Sequence, residues 1–421
     1  MIEIGFQKQH SWRKWVEPWY LSYALLGISI AGVLPIILPL AVSHNGTIAD
    51  VGLVIAALNL GGMIAPLWGV LGDRFRLHRF LLAAGILTTA AAIAVFPFAS
   101  SLPVKIALAL IQGAGATAAA TVANLFIVEA HPKIEWDKRI GWLQTFYGGG
   151  QVVGLLLAGF LAHMEMHVSF MMTAGFTAIA FFPGWFMTKT PPRSHVQRPV
   201  LRHPPHHAEL NIGSPQRFYH HSSYKALQHI LQSLFSPFGF FLIAWLISFS
   251  GAAAFFSLYP VLMKQAYGVD PIISSSGFAV SAAIGLALYI PSGKWSNRFG
   301  SLRVVQAALI IRLLAFFCLV LMSITHMNSH GSLALLNFLF LVLAWPLLSV
   351  AGTAVTAQYS RSNEGEGLGI FNATTAVAGV IGALLGGWLA AQFGYDTVPI
   401  LGLIGIAVGI VIIFAISKIR W

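Results

Sequence analysis

The stretch Trp68-Gly69-Val70-Leu71-Gly72-Asp73-Arg74-Phe75-Arg76-Leu77-His78-Arg79 interrupts two long apolar runs, residues 50–70 and 80–99, with glycines and a burst of positive charge. A relative of it, Gly293-Lys294-Trp295-Ser296-Asn297-Arg298-Phe299-Gly300-Ser301-Leu302-Arg303, stands between the runs 272–292 and 303–323. Gly69 thus returns as Gly293, 224 positions on, and both copies read Gly, three residues, Asp or Asn, then Arg-Phe. A chain that repeats its charged hairpin after about half its length is expected to be two related bundles of apolar segments.

Composition sets the environment of those bundles. Of 421 residues, 57% are apolar and 9% charged, and the mean hydropathy is +0.78. A soluble domain carries about a quarter charged residues, so this chain lacks the polar surface that water demands. It is expected to be an all-α integral membrane protein. Runs of about the 20 residues that cross a bilayer fall at 18–42, 50–70, 80–99, 104–128, 141–162 and 169–188, then at 237–261, 272–292, 303–323, 332–357, 368–391 and 397–418. Their continuous apolarity, without strand alternation, favours helices over a barrel. The expected organisation is twelve transmembrane helices: an N-terminal six-helix bundle over residues 1–188, a linker over 189–236 and a C-terminal six-helix bundle over 237–421.

Orientation follows from the basic residues. With the N-terminus inside, only Lys105 and Lys264 of the 24 Lys and Arg fall at outer segments, and Arg312 lies within a span. That bias predicts a multi-pass protein of the inner or plasma membrane with both termini cytoplasmic. The net charge of +11 then reflects topology, and no nucleic-acid partner is expected. The mixed, amphipathic start from Met1 to Trp15 does not fit a cleavable signal. The linker holds Pro191-Pro192, Pro204-Pro205 and seven histidines: His195, His203, His206, His207, His220, His221 and His229. These lack the spacing of a tetrahedral site, so a solvated basic linker is expected, with metal or pH sensing as the weaker alternative. Cys318 is the single cysteine and permits no internal disulfide.

The repeat extends beyond the hairpins. Ile140-Gly141-Trp142-Leu143-Gln144, Gly154 and Ala158-Gly159-Phe160-Leu161-Ala162 align with Leu368-Gly369-Ile370-Phe371-Asn372, Gly382 and Gly386-Gly387-Trp388-Leu389-Ala390, at an offset of 228. Both matches occupy the same place within a six-helix set, as in parallel-repeat secondary transporters.

These residues carry a family likeness. The segment Gly69 to Arg79 resembles the signature hairpin between helices 2 and 3 of the major facilitator superfamily. Gly69, Leu71, Gly72, Asp73, Arg74, Phe75 and Arg79 fit, while Arg76 stands where the family has glycine. In the second copy Gly293, Asn297, Arg298, Phe299, Gly300 and Arg303 fit, with Asn297 replacing the acid. The resemblance implies alternating access between two halves, with gating assigned to Gly69, Asp73, Arg74, Arg79, Gly293, Asn297 and Arg298. It implies that Asp73 steadies the outward-facing state against the positive N-terminal end of helix 11, a favourable place for an anion. Two departures argue against proton antiport: Gln112-Gly113 of helix 4 is preceded by Ala109 where many coupled members have Arg, and the glycines of helix 5 lack the Gly-Pro pair.

The resemblance also implies that helices 1, 4, 7 and 10 line the path. Polar groups recurring on one stripe of a lipid-embedded helix face protein or water. Helix 10 shows this best, with Asn337, Trp345, Ser349, Thr353 and Thr356; helix 4 offers Gln112 and Asn124, helix 5 Gln144, Tyr147 and Gln151, and helix 7 Trp245, Ser248 and Tyr259. Together they are the expected substrate cavity. No acid lies near mid-membrane; Glu17 and Asp50, at opposite ends of helices 1 and 2, are the nearest acids that could carry a proton, and the candidates for an ion or anion site are Asp50 and Arg312. Arg312 could instead serve structure or a lipid headgroup. The predicted function is secondary transport of a small organic solute, neutral or amphipathic, with efflux slightly favoured and the protein acting as a monomer among membrane lipids. The alternative is a non-transporting sensor, assembly or lipid-handling protein of the same fold. No nucleophile–base set, nucleotide loop, cofactor motif or metal cluster marks the spans, so an enzyme is not expected.

Overall fold

Apolar runs without a polar face become helices throughout the structure, a computed structural model that describes residues 15–64, 67–68, 78–188, 236–325, 331–360 and 364–418. Among these residues there is no strand. In chain order, α1 spans Tyr20–Asn45, α2 Ile48–Gly62, α3 His78–Val95, α4 Leu102–Ala130, α5 Lys133–Leu161 and α6 Met166–Phe186. The second set is α7 Pro237–Gln265, α8 Pro271–Phe299, α9 Ser301–Ile324, α10 Gly331–Tyr359, α11 Glu364–Phe393 and α12 Thr397–Lys418. Ten of these are long and apolar enough to cross a membrane. The other two are α2, described over 15 residues, and α5, which opens with charged turns. The result is two six-helix bundles.

Two helices outrun the hydropathy pattern. α5 begins at Lys133 instead of near 141, and α8 runs to Phe299 instead of near 292. Hydropathy marks the hydrocarbon layer, whereas a helix ends only where its backbone ladder is broken. The second hairpin is therefore hardly a loop. Gly293, Asn297 and Arg298 ride on the last turns of α8, and the reversal falls on Gly300, whose φ of +91° suits glycine. Residues 69–77 of the first hairpin, with Gly69, Asp73 and Arg74, lie outside the described residues, as do 189–235 of the linker.

α1 is not uniform. A π-helical segment, Gly27–Val33, separates Tyr20–Leu26 from Leu34–Asn45. Pro35 cannot donate to the carbonyl four residues back, which loosens the ladder where the wide turns end. α2 starts with a reciprocal cap: the Thr47 amide donates to Asp50 Oδ2 (2.7 Å) and the Asp50 amide donates to Thr47 Oγ1 (3.3 Å).

Alternation of direction brings the start of α1 and the end of α12 to the same end, called the basic end for its Lys and Arg. Within each half, small residues let helices approach closely. Gly150 and Gly154 lie on the backbone of α1, and Gly382, the repeat partner of Gly154, lies with Gly386 on α7. Between halves, α2 packs on α11 and α5 on α8, two contacts that the repeat relates to one another. Both are tightest at the end opposite the basic one. A Cβ added to Gly387 would stand 2.8 Å from the Gly52 Cα, and one added to Gly159 would stand 2.6 Å from the Ile272 Cα. Toward the basic end Gly141, Gly293 and Gly369 face open space.

The surface fits lipid. Large apolar side chains such as Phe160, Phe186, Ile290 and Val411 are mostly exposed on helices, an arrangement that water would penalise and hydrocarbon would not.

Candidate functional site: a cavity between the halves

Where the inner stripes of both halves meet, a cavity of about 440 Å³ remains. One face of each contributing helix forms a wall. Ile30, Leu34 and Leu38 recur at steps of four on α1; Phe278, Ala282, Gly285 and Tyr289 recur at steps of three and four on α8. α7 supplies Phe249 and Phe256, α10 supplies Val342, Trp345 and Pro346, and Gly379 of α11 leaves room for Asn59 of α2. The polar side chains in the lining are Asn59, Gln151, Ser257, Tyr289 and Arg312, besides the indole of Trp345. Among the described residues, no carboxylate lines it.

Arg312 enters from α9 and is only 2% exposed. Its Nε donates to the Leu341 carbonyl at 3.3 Å, and its guanidinium carbon stands 5.7 Å from the Phe256 ring centre and 6.0 Å from that of Trp345. The side chain therefore turns into the protein and does not reach for a headgroup. Trp345 also meets Phe249 at 5.5 Å, so the cation sits at the edge of an aromatic wall.

Of the polar residues expected to form the cavity, the structure gathers Gln151 and Trp345 into its lining. The others are placed elsewhere. Gln112 is buried within the packing of the first half, and Asn124 Nδ2 donates to the Ala120 carbonyl (2.9 Å) of its own helix. None of the lining comes from α4, because Gly113 and Gly115 pack it against α2 and α3. Tyr147 leans on Tyr23, with ring centres 4.9 Å apart. Trp245 Nε1 donates to Thr375 Oγ1 (2.9 Å), joining α7 to α11, and Ser248 donates to the Ala244 carbonyl (2.6 Å). Tyr259 donates to the Ser274 carbonyl (2.8 Å) and stacks on Phe338, while Asn337 donates to the Leu333 carbonyl (3.0 Å). Ser349 and Thr353 hydroxyls donate to carbonyls one turn back on α10, at 3.2 and 3.0 Å; Thr356 is fully buried. Gln144 and Thr353 are exposed on the basic side of the cavity.

The charged candidates separate in the same way. Asp50 is spent on the α2 cap. Glu17, just before α1, accepts from Trp19 Nε1 (2.8 Å) and Arg139 Nη1 (3.0 Å), with His131 Nε2 at 2.7 Å. Arg139 Nε donates in turn to Glu135 Oε2 (2.9 Å), so the cluster ties the residues just before α1 to the α4–α5 turn. Arg79 lies 4.5 Å above the Trp185 ring, and Arg298 is exposed beside Phe299.

Asn59 had a sequence signal, since it follows Gly52 and Ile55 on one face of α2. Phe249, Phe256 and Tyr289 had none, because an aromatic facing a cavity and one facing lipid look alike in a helix that is apolar all round.

Two related bundles enclose a central cavity and pack closely against each other at one end, the architecture of a membrane transporter. The sequence profile of the Major Facilitator Superfamily matches residues 19–351, and the chain belongs to that family. Multidrug resistance protein 1 of Bacillus subtilis is 22% identical over 376 residues, covering 88% of this chain and 87% of that one. Quinolone resistance protein NorA of Staphylococcus aureus is 21% identical over 404 residues and is covered, like this chain, to 95%. Among solved structures, a bacterial homolog of the human lysosomal transporter Spinster, inward-facing and occupied, superposes with a TM-score of 0.71 at 14% identity over 99% of both chains. The nucleoside transporter NupG gives 0.66 at 15% identity over 96% of this chain and 98% of its own. These structures share the fold.

Proposed function

We propose that the protein exports small amphipathic organic compounds by alternating access, each monomer working through its own cavity. The observation that carries this reading is the cavity itself. Its walls are mainly aliphatic and aromatic, its volume lies within the range of about 300–1,000 Å³ that holds drug-sized molecules, and the halves close over it at the end opposite the basic one, through the Gly52–Gly387 and Gly159–Ile272 contacts. The distribution of Lys and Arg supports a cytoplasmic basic end, and on that orientation the cavity is proposed to be inward-facing and set to load from inside. Relatives named for multidrug and quinolone resistance support the outward direction. The gating residues of the two hairpins, Asp73 above all, are proposed to hold the opposite, outward-facing state.

Purified protein in liposomes tests the reading. A panel of amphipathic fluorescent dyes is expected to cross faster than in protein-free liposomes, and flux that persists without a pH gradient identifies uniport. No flux with any dye, under any gradient, would favour a non-transporting sensor, assembly or lipid-handling role.

A further inference from the structure

Arg312 is the twelfth of the 24 residues of α9, so it stands at mid-membrane depth. A buried guanidinium is retained at such a place only if its charge and its donors are answered. Of its five N–H groups, the one on Nε reaches the Leu341 carbonyl. The rest of the group borders the cavity, where the described lining holds aromatic rings, aliphatic chains and the neutral amides of Asn59 and Gln151, but no carboxylate. The rings of Phe256 and Trp345 soften the charge without neutralising it. What the site lacks is an anion beside a flat apolar body.

We propose that the cavity binds compact aromatic acids, with the ligand's carboxylate paired to Arg312 and its ring system against Phe256 and Trp345. The inference rests on the transporter reading for the use of the site and names its substrate class. An organic acid from the cytosol and a single-chain anionic lipid share this chemistry; the cavity volume of about 440 Å³ favours the compact acid. Guanidinium–carboxylate pairing in a water-poor site is strong and geometrically selective, so charge at the ligand should dominate affinity.

The test compares 2-naphthoate with its neutral isostere 2-naphthamide on the full-length purified protein, by calorimetric titration. Naphthoate is expected to bind at least about tenfold tighter. Arg312→Gln should bring the two affinities together, and Arg312→Lys should restore part of the preference. Equal affinities in the wild type, or a preference that survives in Arg312→Gln, would overturn the proposal; the wild-type comparison stands even if no variant folds. Lysophosphatidate binding where naphthoate does not would overturn the assignment to a compact acid. The two readings fail separately. Flux of the amide and the acid at equal rates sinks the anion site but keeps the transporter, whereas acid-selective binding without flux of either keeps the site and sinks the transporter.

Discussion

Gly387 of α11 meets Gly52 of α2 so closely that a methyl group on Gly387 would stand 2.8 Å from the Gly52 Cα. The repeat reproduces this contact between Gly159 of α5 and Ile272 of α8. Both join the halves at the end away from the basic loops, and both require the absence of a side chain. Overpacking such a contact costs about 1–3 kcal/mol, enough to shift a two-state population by about 5- to 150-fold. Gly387→Val is therefore expected to disfavour the closed end and to slow transport severely while preserving expression. Labelling of a cysteine placed at that end, in a Cys318→Ser background, reads the shift; unchanged labelling would show that the contact does not control access.

His163, in the α5–α6 turn, bridges the halves at the same end. Nδ1 lies 3.0 Å from the Gly159 carbonyl and Nε2 lies 3.0 Å from Asp270 Oδ2. Both neighbours accept, so only the doubly protonated ring satisfies both. The Gly159 carbonyl first, then Asp270, raise the His163 pKa above its usual 6.5, opposed by partial burial and by Lys264. Protonation is thus favoured by the closed end, and the bridge contributes fully below about pH 6.5. Its contribution fades as pH rises through the raised value. Accessibility of the closed end should increase across that window in the wild type and should lose this step in His163→Gln. An identical pH profile in the variant would remove His163 from the gate.

Residues inside and outside the cavity should respond differently to substitution. Trp345→Ala removes an aromatic wall, and burying such a side chain is worth about 1.5–3 kcal/mol, so ligand affinity should fall by tenfold or more. Trp245→Phe removes the hydrogen bond to Thr375 between α7 and α11. That should cost about 1 kcal/mol of stability, read as a lower Tm, with little change in ligand Kd. Equal loss of affinity in both variants would extend the site to the α7–α11 seam.

Asp73→Asn is expected to slow transport and to move the resting population further toward the inward-facing state, since an anion at a helix N-terminus contributes about 0.3–1 kcal/mol. Cysteine labelling at the outer mouth tests this. Unchanged accessibility would leave the acid of the first hairpin without a gating role.

The duplicated Gly-xxx-Asp/Asn-Arg-Phe hairpin was enough to reveal the two related halves, and apolarity set the number of spans. Both are one-dimensional properties: a bilayer imposes a length on each span, and a repeat preserves order along the chain. The cavity was legible only in part. Gln151 and Trp345 stood on recognisable stripes, but Trp245, Tyr259 and Asn337 stood on equally good ones and are engaged in helix packing. In hydrocarbon a polar side chain on a stripe needs a partner, and a group on a neighbouring helix, or a carbonyl one turn back on its own, satisfies it as well as a substrate does.

What the sequence determined by itself was therefore the bilayer, the helix count, the duplication and the family, because each follows from residue type and order. Only the tertiary structure decided which end is shut and which faces look inward. The basic hairpin that announced the duplication did not say which end is shut in this structure; that was read from Gly52 meeting Gly387 across the interface between halves. Likewise Arg312 could not be told from a headgroup anchor until α9 turned it toward Phe256 and Trp345, since helix rotation is set by packing against neighbours and not by local composition.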